Sequence, residues 1–252
     1  MQPSDRPTQT LVLRSREIRR EQQQVPVRVL PVWAAPPELR LLVMLGEAPQ
    51  DAAAALRVIR HRLERKRSEG MWTVGVTSAR DGEGKTTLAA QLALVLGESQ
   101  RARVLLMEAA MHRPALSRLL GFRVPSGEGF SVQIARRMQG SGDPWTVLAL
   151  GPGLHVLAES EAEAGFPDML HSTHFRRAVE QLARLYDWIV VDAPPVLGCG
   201  DANVVEEAVD GMILAARSGL SKGADLRAAM KQLGERKALG VVLWDAAGGK
   251  RR

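Results

Sequence analysis

The sequence predicts an α/β fold, a doubly wound and mostly parallel sheet flanked by helices. Three observations in its 252 residues support this fold. Short apolar, β-prone runs alternate along the chain with helical patterns, which is typical of strands that neighbour each other through helical crossovers. These runs are apolar on both faces, as expected of strands covered by helices on both sides. A glycine-rich turn joins the first of these runs to the helix that follows it.

The first predicted element after the N-terminal segment is a helix at Asp51–Glu69. Asp51 is a suitable capping residue, and Leu56, Ile59 and Leu63 fall on one face of this helix. Further helices are expected at Lys85–Gly97, Phe175–Leu185 and Lys222–Glu235. The apolar runs predict strands at Met71–Thr77, Arg103–Met107, Thr146–Leu148, His155–Ala158, Trp188–Val191, Gly211–Ala216 and Leu239–Trp244.

Residues 1–50 differ in composition from the rest of the chain. Residues 1–37 are rich in Pro, Gln and Arg and show no sustained period. We therefore expect residues 1–50 to form a partly disordered N-terminal extension with a short apolar element at Leu39–Leu45. Most of the formal net charge of +6 lies within residues 1–70. Such a segment could meet nucleic acid or an anionic membrane, or form a solvated, Arg-rich helix face. The solvated face is favoured, and a nucleic-acid partner is not expected.

The composition also bears on the compartment. Cys199 is the single cysteine, which excludes a disulfide framework or a cysteine metal cluster within the chain. No apolar run approaches the roughly 20 residues that span a bilayer, and the first residues lack the apolar core of a secretory signal. We therefore expect a cytoplasmic protein that reaches the inner face of the cell membrane only by recruitment.

The turn after the first predicted strand has the composition of a phosphate-binding loop. Gly82 and Gly84 allow backbone N–H groups to converge on phosphate, and the helix N-terminus adds partial positive charge. Lys85 is expected to bind β- and γ-phosphate oxygens, and the Thr86 hydroxyl to ligate Mg²⁺. The strict motif begins with glycine, where this sequence has Ala79. The loop residues expected to contact ATP are Arg80, Asp81, Gly82, Glu83, Gly84, Lys85, Thr86 and Thr87.

A second acidic motif lies downstream. Asp192 ends the apolar run that begins at Trp188 and is followed by Ala193-Pro194-Pro195. In a parallel sheet the carboxyl end of a strand faces the ligand crevice, so Asp192 is well placed to hold Mg²⁺ through water. The alternative is an aspartate that caps a turn. Together the two motifs predict a P-loop, ATP-binding domain at residues 51–252.

These motifs, with the Arg103–Glu108 strand leading to Arg113-Pro114, resemble the bacterial tyrosine kinase family within the deviant P-loop ATPases, which include ParA and MinD. The resemblance covers about residues 50–246. It implies ATP with Mg²⁺, tyrosine phosphorylation, a role in capsule or exopolysaccharide export, and a membrane partner that is often a polysaccharide chain-length regulator. It also implies rings held by a helix with Glu, Arg and Arg at three-residue spacing. Arg57 and Arg60 fit that pattern, whereas Ala54 replaces the glutamate, so homo-oligomer formation stays open.

The resemblance implies two carboxylates in a further acidic motif, at the positions of Glu108 and Ala110. Glu108 retains a carboxylate that could reach Mg²⁺ or orient the acceptor hydroxyl as a base. Ala110 can do neither. We therefore expect Lys85, Glu108 and Asp192 to carry the chemistry, and Thr86, Asp192 and Glu108 to serve the metal.

Three further departures affect the expected activity. The family usually carries a C-terminal tyrosine cluster for autophosphorylation, but residues 247–252 contain no tyrosine, and we expect Tyr186 to be packed. Any kinase activity is then expected to act on another protein. Trp244 follows the last strand and could stack on adenine or pack in the core. Arg80 lies where related ATPases have a lysine that acts across a dimer, so it could touch a partner's phosphate or stay solvated.

Three functions are consistent with these residues. The first is a tyrosine kinase acting on a partner in polysaccharide export. The second is a pseudokinase or ATP-gated scaffold for a membrane polysaccharide co-polymerase, which Ala110 and the missing tyrosine cluster support. The third is a positioning ATPase of the MinD or ParA type, against which stands the lack of a C-terminal amphipathic helix.

Overall fold

The computed structural model describes residues 9–11, 25–32, 50–99, 102–160, 169–198, 200–234 and 236–245. The strands are β1 (Gln9–Leu11), β2 (Val27–Pro31), β3 (Thr73–Ser78), β4 (Val104–Glu108), β5 (Trp145–Gly151), β6 (Leu154–Leu157), β7 (Trp188–Asp192), β8 (Gly211–Arg217) and β9 (Ala238–Trp244). The helices are α1 (Gln50–Ser68), α2 (Lys85–Gly97), α3 (Leu116–Leu120), α4 (Phe130–Met138), α5 (Thr173–Ala183), α6 (Asp201–Ala208) and α7 (Gly223–Gln232).

The described strands form one sheet in the order β1-β2-β5-β6-β4-β7-β3-β8-β9. Its neighbours are parallel except at β1–β2 and β5–β6, which are antiparallel. The predicted doubly wound, mostly parallel sheet is therefore confirmed. Because β3, β4, β7 and β8 run in the same direction, their carboxyl ends share one edge of the sheet, which is where ligands of such sheets bind.

The sheet separates two hydrophobic cores. Along β4, Leu105 and Met107 join the core that contains α4, α5, α6 and α7, whereas Val104 and Leu106 join the core that contains α1, α2 and α3. This alternation follows from the two-residue period of a strand. Burial of both faces explains why these strands appear in the sequence as continuous apolar runs.

Several elements were not predicted from the sequence. Strand β2 lies within the predicted N-terminal extension and pairs along its whole length with β5. Helices α3, α4 and α6 were also missed, because each is short and is held by tertiary contacts rather than by a long periodic pattern. The expectations for Leu39–Leu45, Cys199 and residues 247–252 lie outside the described residues. None of the described helices is long and apolar enough to cross a membrane.

Tyr186 is packed, as expected, at the base of β7. It is 3% exposed, and its hydroxyl shares a hydrogen bond with Nδ1 of His155 at 2.7 Å. Burial raises the pKa of Tyr186, against a smaller opposite effect of Arg103. Burial, with a smaller contribution from the positive charge of Arg103, lowers the pKa of His155 to about 4. The folded protein therefore keeps His155 neutral.

This pair predicts a pH-dependent contribution to stability. An unfolded histidine titrates near pH 6.5, so between about pH 6.5 and 4 the unfolded chain gains a proton that the folded chain does not accept. His155 therefore leaves the free energy of unfolding undiminished above about pH 6.5 and lowers it as the pH falls towards 4. Urea denaturation across this range measures the free energy of unfolding of the parent and of His155→Gln. The difference between the two proteins should change by on the order of 3 kcal/mol from one end of the range to the other.

The exposed His61 of α1 provides the matched control, and His61→Gln should follow the parent at every pH. Parallel curves for the parent and His155→Gln would contradict a neutral, buried His155.

Candidate functional site

The glycine-rich turn lies between the buried strand β3 and helix α2. Gly82 and Gly84 have φ angles of 81° and 89°, in the left-handed region that glycine adopts without steric cost. Gly84 is the residue before the first helical residue, Lys85. The free N–H groups and partial positive charge of the α2 N-terminus therefore face this turn, which is the backbone arrangement that binds phosphate.

Two side chains of the turn make contacts within the protein. The Glu83 side chain is buried, and its carboxylate accepts a hydrogen bond from the Arg80 backbone N–H at 2.8 Å. The Arg80 guanidinium donates two hydrogen bonds to the Asp225 carboxylate of α7, at 2.7 and 3.1 Å. Glu83 is therefore turned inward, and Arg80 is paired within its own chain. A contact of Arg80 with a partner's phosphate stays a prediction.

Trp244, at the end of β9, packs directly on the turn. Its indole N–H donates a hydrogen bond to the Glu83 carbonyl at 2.8 Å. A Cβ atom added at Gly84 would lie 1.8 Å from Cζ2 of the indole, so glycine is required there by contact as well as by φ. Trp244 is half-buried and supports the turn from β9. Its predicted stacking on adenine stays a prediction.

The cations at the mouth of the turn share one carboxylate. Nζ of Lys85 lies 3.3 Å from Oδ1 of Asp81, and a guanidinium nitrogen of Arg113 lies 3.0 Å from Oδ2 of the same residue. Arg113 belongs to the loop between β4 and α3. The structure therefore joins the turn to the loop after β4 through Asp81.

Three fully buried carboxylates stand at or just beyond the ends of adjacent strands: Asp192 of β7, Glu108 of β4, and Glu159 after β6. Oε1 of Glu108 accepts hydrogen bonds from the backbone N–H groups of Ala115 and Leu116, at 2.6 and 2.8 Å. Oε2 of Glu108 accepts the Glu159 N–H at 3.0 Å. Glu108 therefore anchors the start of α3 and the end of β6.

Glu159 has a comparable role that sequence reasoning missed. Its carboxylate accepts the backbone N–H groups of Ser131, in the first turn of α4, and Ser160, both at 2.9 Å. A negative charge at a helix N-terminus is stabilising. The sequence pattern does not indicate this role of Glu159, because its partner Ser131 lies 28 residues earlier in the chain.

Asp192 differs from its two acidic neighbours. It is fully buried, and neither carboxylate oxygen has a hydrogen-bond partner among the described residues. Burial raises the pKa of Asp192 to about 7; the charge of Glu108 acts in the same direction, whereas Lys85 and the Thr86 hydroxyl act against it. The Thr86 hydroxyl favours the charged form of Asp192, although no hydrogen bond that meets the standard distance and angle limits joins the two groups.

The donor set suits Mg²⁺. Mg²⁺ prefers oxygen ligands, retains several waters, and is bound through one or two protein groups together with phosphates. An unpartnered buried carboxylate beside a helix-start hydroxyl supplies such groups, so Asp192 and Thr86 fit the ion. By contrast, both Glu108 oxygens are already engaged by backbone N–H groups, which is unfavourable for the predicted metal contact. Among the described residues, no group of three His, Cys, Asp or Glu side chains could hold a metal ion.

Arg57 and Arg60, the candidate oligomer contacts, are paired within the chain. Both guanidinium groups bind Glu98 at the end of α2, with an Arg60–Glu98 distance of 2.7 Å. These pairs join α1 to α2. An assembly through this face would have to share or replace them.

Comparison with known proteins identifies the family. Residues 71–239, more than half of the chain, match the family model of the cellulose biosynthesis protein BcsQ. The chain belongs to this family. The resemblance to bacterial tyrosine kinases is also confirmed. The relatives include the tyrosine-protein kinase CpsD of Streptococcus agalactiae serotype III (strain NEM316), 26% identical over 174 residues that cover 68% of this chain and 72% of CpsD.

Solved structures agree with the BcsQ-family fold. The kinase domain of the Escherichia coli tyrosine kinase ETK aligns with a TM-score of 0.68 and 25% identity, over 80% of this chain and 79% of that domain. The septum site-determining protein MinD from Pyrococcus horikoshii OT3, complexed with Mg-ADP, aligns with a TM-score of 0.53 and 20% identity, over 68% and 69% of the two chains. The MinD likeness supports the fold alone.

The unpartnered Asp192 carboxylate predicts an unusual stability effect. At pH 8 and without Mg²⁺, Asp192→Asn should raise the free energy of unfolding by about 1–4 kcal/mol, because it removes a buried charge that lacks full compensation. Chemical denaturation measures this change. The exposed Asp143→Asn serves as the control and should be neutral, whereas destabilisation by Asp192→Asn would contradict an uncompensated carboxylate.

Proposed function

We propose that this BcsQ-family chain binds ATP with Mg²⁺ and transfers the terminal phosphate to a tyrosine of a partner protein in exopolysaccharide production. One observation carries the proposal: the carboxylate of Asp192 is buried beside Lys85 and Thr86, at the N-terminus of α2, and no residue that the structure describes donates a hydrogen bond to it. The names of the family and of its tyrosine-kinase relatives give the process and the reaction class.

The turn and the residues that contact it have separate proposed roles. Lys85 and the backbone N–H groups of residues 82–87 neutralise phosphate charge, as in other P-loops. Thr86 and Asp192 hold Mg²⁺, which supplies further charge neutralisation. Trp244 supports the turn through its contacts with Glu83 and Gly84. This arrangement matches what phosphoryl transfer requires, namely positioning and electrostatic stabilisation.

For Glu108, the contacts favour a positioning role over that of a base. Its carboxylate accepts three backbone hydrogen bonds, which use most of the roughly four acceptor sites of a carboxylate. Burial raises its pKa, against the effect of these three bonds. We propose that Glu108 fixes the loop at residues 109–115 beside the turn. Phosphoryl transfer does not depend on a strong base.

The acceptor is proposed to lie on another protein. Tyr186 is the one tyrosine of this sequence, and its hydroxyl is buried and engaged with His155. We further propose that the partner is a membrane polysaccharide co-polymerase or chain-length regulator, and that the chain works through it at the inner face of the membrane, with homo-oligomer formation as a possible part of that assembly.

A second candidate is a nucleotide-gated scaffold for the membrane partner, which binds ATP without transferring its phosphate. The observation that favours it is Ala110, which is buried where the resembled kinases have a second carboxylate. A site with one carboxylate fewer could retain binding and lose turnover.

A transfer assay separates these functions. With Mg²⁺ and γ-labelled ATP, the parent should label a tyrosine polymer or a protein of the membrane fraction, and Lys85→Ala should reduce labelling at least about 100-fold, because it removes charge stabilisation at the reacting phosphates. Nucleotide binding is measured in the same samples.

Lys66→Ala, which removes an exposed lysine of α1, is the control and should label at the parent rate. Binding without label on any protein would favour the scaffold, and release of free phosphate without labelling would favour a positioning ATPase. Equal labelling by Lys85→Ala would contradict the site assignment.

A further inference from the structure

Asp81 and the two cations that it contacts form a small ionic network at the mouth of the site. One carboxylate oxygen of Asp81 faces Nζ of Lys85 at 3.3 Å, and the other faces the Arg113 guanidinium at 3.0 Å. One negative charge therefore serves two positive charges. Within these three side chains one positive charge is left over, close to the N-terminus of α2, which also favours anions.

The loop that carries Arg113 is fixed at both ends to groups of the same site. Its first residue, Ala109, donates its backbone N–H to the Asp192 carbonyl at 2.8 Å. Its last residue, Ala115, donates to the Glu108 carboxylate at 2.6 Å. Within the loop, the Arg113 N–H closes a turn on the Ala110 carbonyl at 3.0 Å. The backbone of Arg113 is therefore held beside the glycine-rich turn.

The two cations differ in how firmly the protein holds them. The Lys85 side chain is 12% exposed, whereas that of Arg113 is 79% exposed. An exposed ion pair such as Arg113–Asp81 contributes little to stability, because water screens it. Phosphate offers a guanidinium more charge than a carboxylate does, together with bidentate geometry. A polyphosphate would therefore compete effectively with Asp81 for both cations.

We infer that Arg113 is a second phosphate-binding cation of this site and that Asp81 is an internal competitor which a bound polyphosphate displaces from Lys85 and Arg113. Lys85 meets the β- and γ-phosphates in P-loop sites, and Arg113 binds the other oxygen of the Asp81 carboxylate and is the more exposed of the two cations. Arg113 therefore contacts the terminal phosphate and distinguishes a triphosphate from a diphosphate. The nucleotide part of this inference rests on the proposed function.

The inference makes opposite predictions for the two partners of one ion pair. Arg113→Gln should weaken ATP binding at least about 10-fold, the loss of one charge-assisted contact, and weaken ADP binding much less. Asp81→Asn should tighten binding of both nucleotides, because it removes the competitor. Calorimetric titration of the full chain with each Mg-nucleotide measures these affinities. Arg118→Gln, an exposed arginine of α3, is the matched control and should bind as the parent does.

Equal losses for ATP and ADP in Arg113→Gln, no loss at all, or weaker binding in Asp81→Asn would overturn the inference. Titration with inorganic tripolyphosphate separates this failure from that of the proposed function. If the parent binds tripolyphosphate in an Arg113-dependent way but neither nucleotide, the ATP proposal fails and the phosphate role of Arg113 stands. If the parent binds none of the three ligands, both are overturned.

Discussion

Burial of the Asp192 carboxylate, for which the described part of the chain supplies no hydrogen-bond partner, is the constraint on which the rest of the site depends. Asp192 ends β7, the strand between β4 and β3, so helices and neighbouring strands exclude water from it. Burial of an uncompensated carboxylate is costly, and it is supported here by the charge of Lys85 across the start of α2. A pKa of about 7 reflects that partial compensation. A divalent cation held by Asp192 and Thr86 would complete it.

The two neighbouring carboxylates are also buried, but backbone hydrogen bonds compensate the cost of their burial. Glu108 and Glu159 accept backbone N–H groups at the starts of α3 and α4, so the protein itself satisfies them. Of the three buried acids, Glu108 and Glu159 therefore position helices, and Asp192 is the one that we propose holds a metal ion. The Ala109 N–H donates to the Asp192 carbonyl, and the Ala115 N–H donates to the Glu108 carboxylate, so the loop that carries Arg113 is held to the ends of both β7 and β4.

The parts of the fold and site that sequence reasoning predicted are those encoded locally. An apolar run, two glycines and a lysine at a helix start fall within Thr73–Lys85, and Asp192 follows its own apolar strand. Strand β2 was missed because its short sequence carries Arg28 and a proline; pairing with β5 defines it as a strand, and Arg28 hydrogen bonds there to Thr146. The backbone partners of Glu108 could not be predicted, because they come from two separate later segments.

A crystal structure with Mn²⁺ and a non-hydrolysable ATP analogue tests the central claim most directly, because the anomalous signal of Mn²⁺ locates the metal independently of the protein. The account predicts one metal peak at about 2.1 Å from the Thr86 hydroxyl, separated from the Asp192 carboxylate by one water. Glu108 should keep its backbone hydrogen bonds. A metal bound directly to Glu108, or a bound nucleotide with no metal near Asp192, would contradict the account.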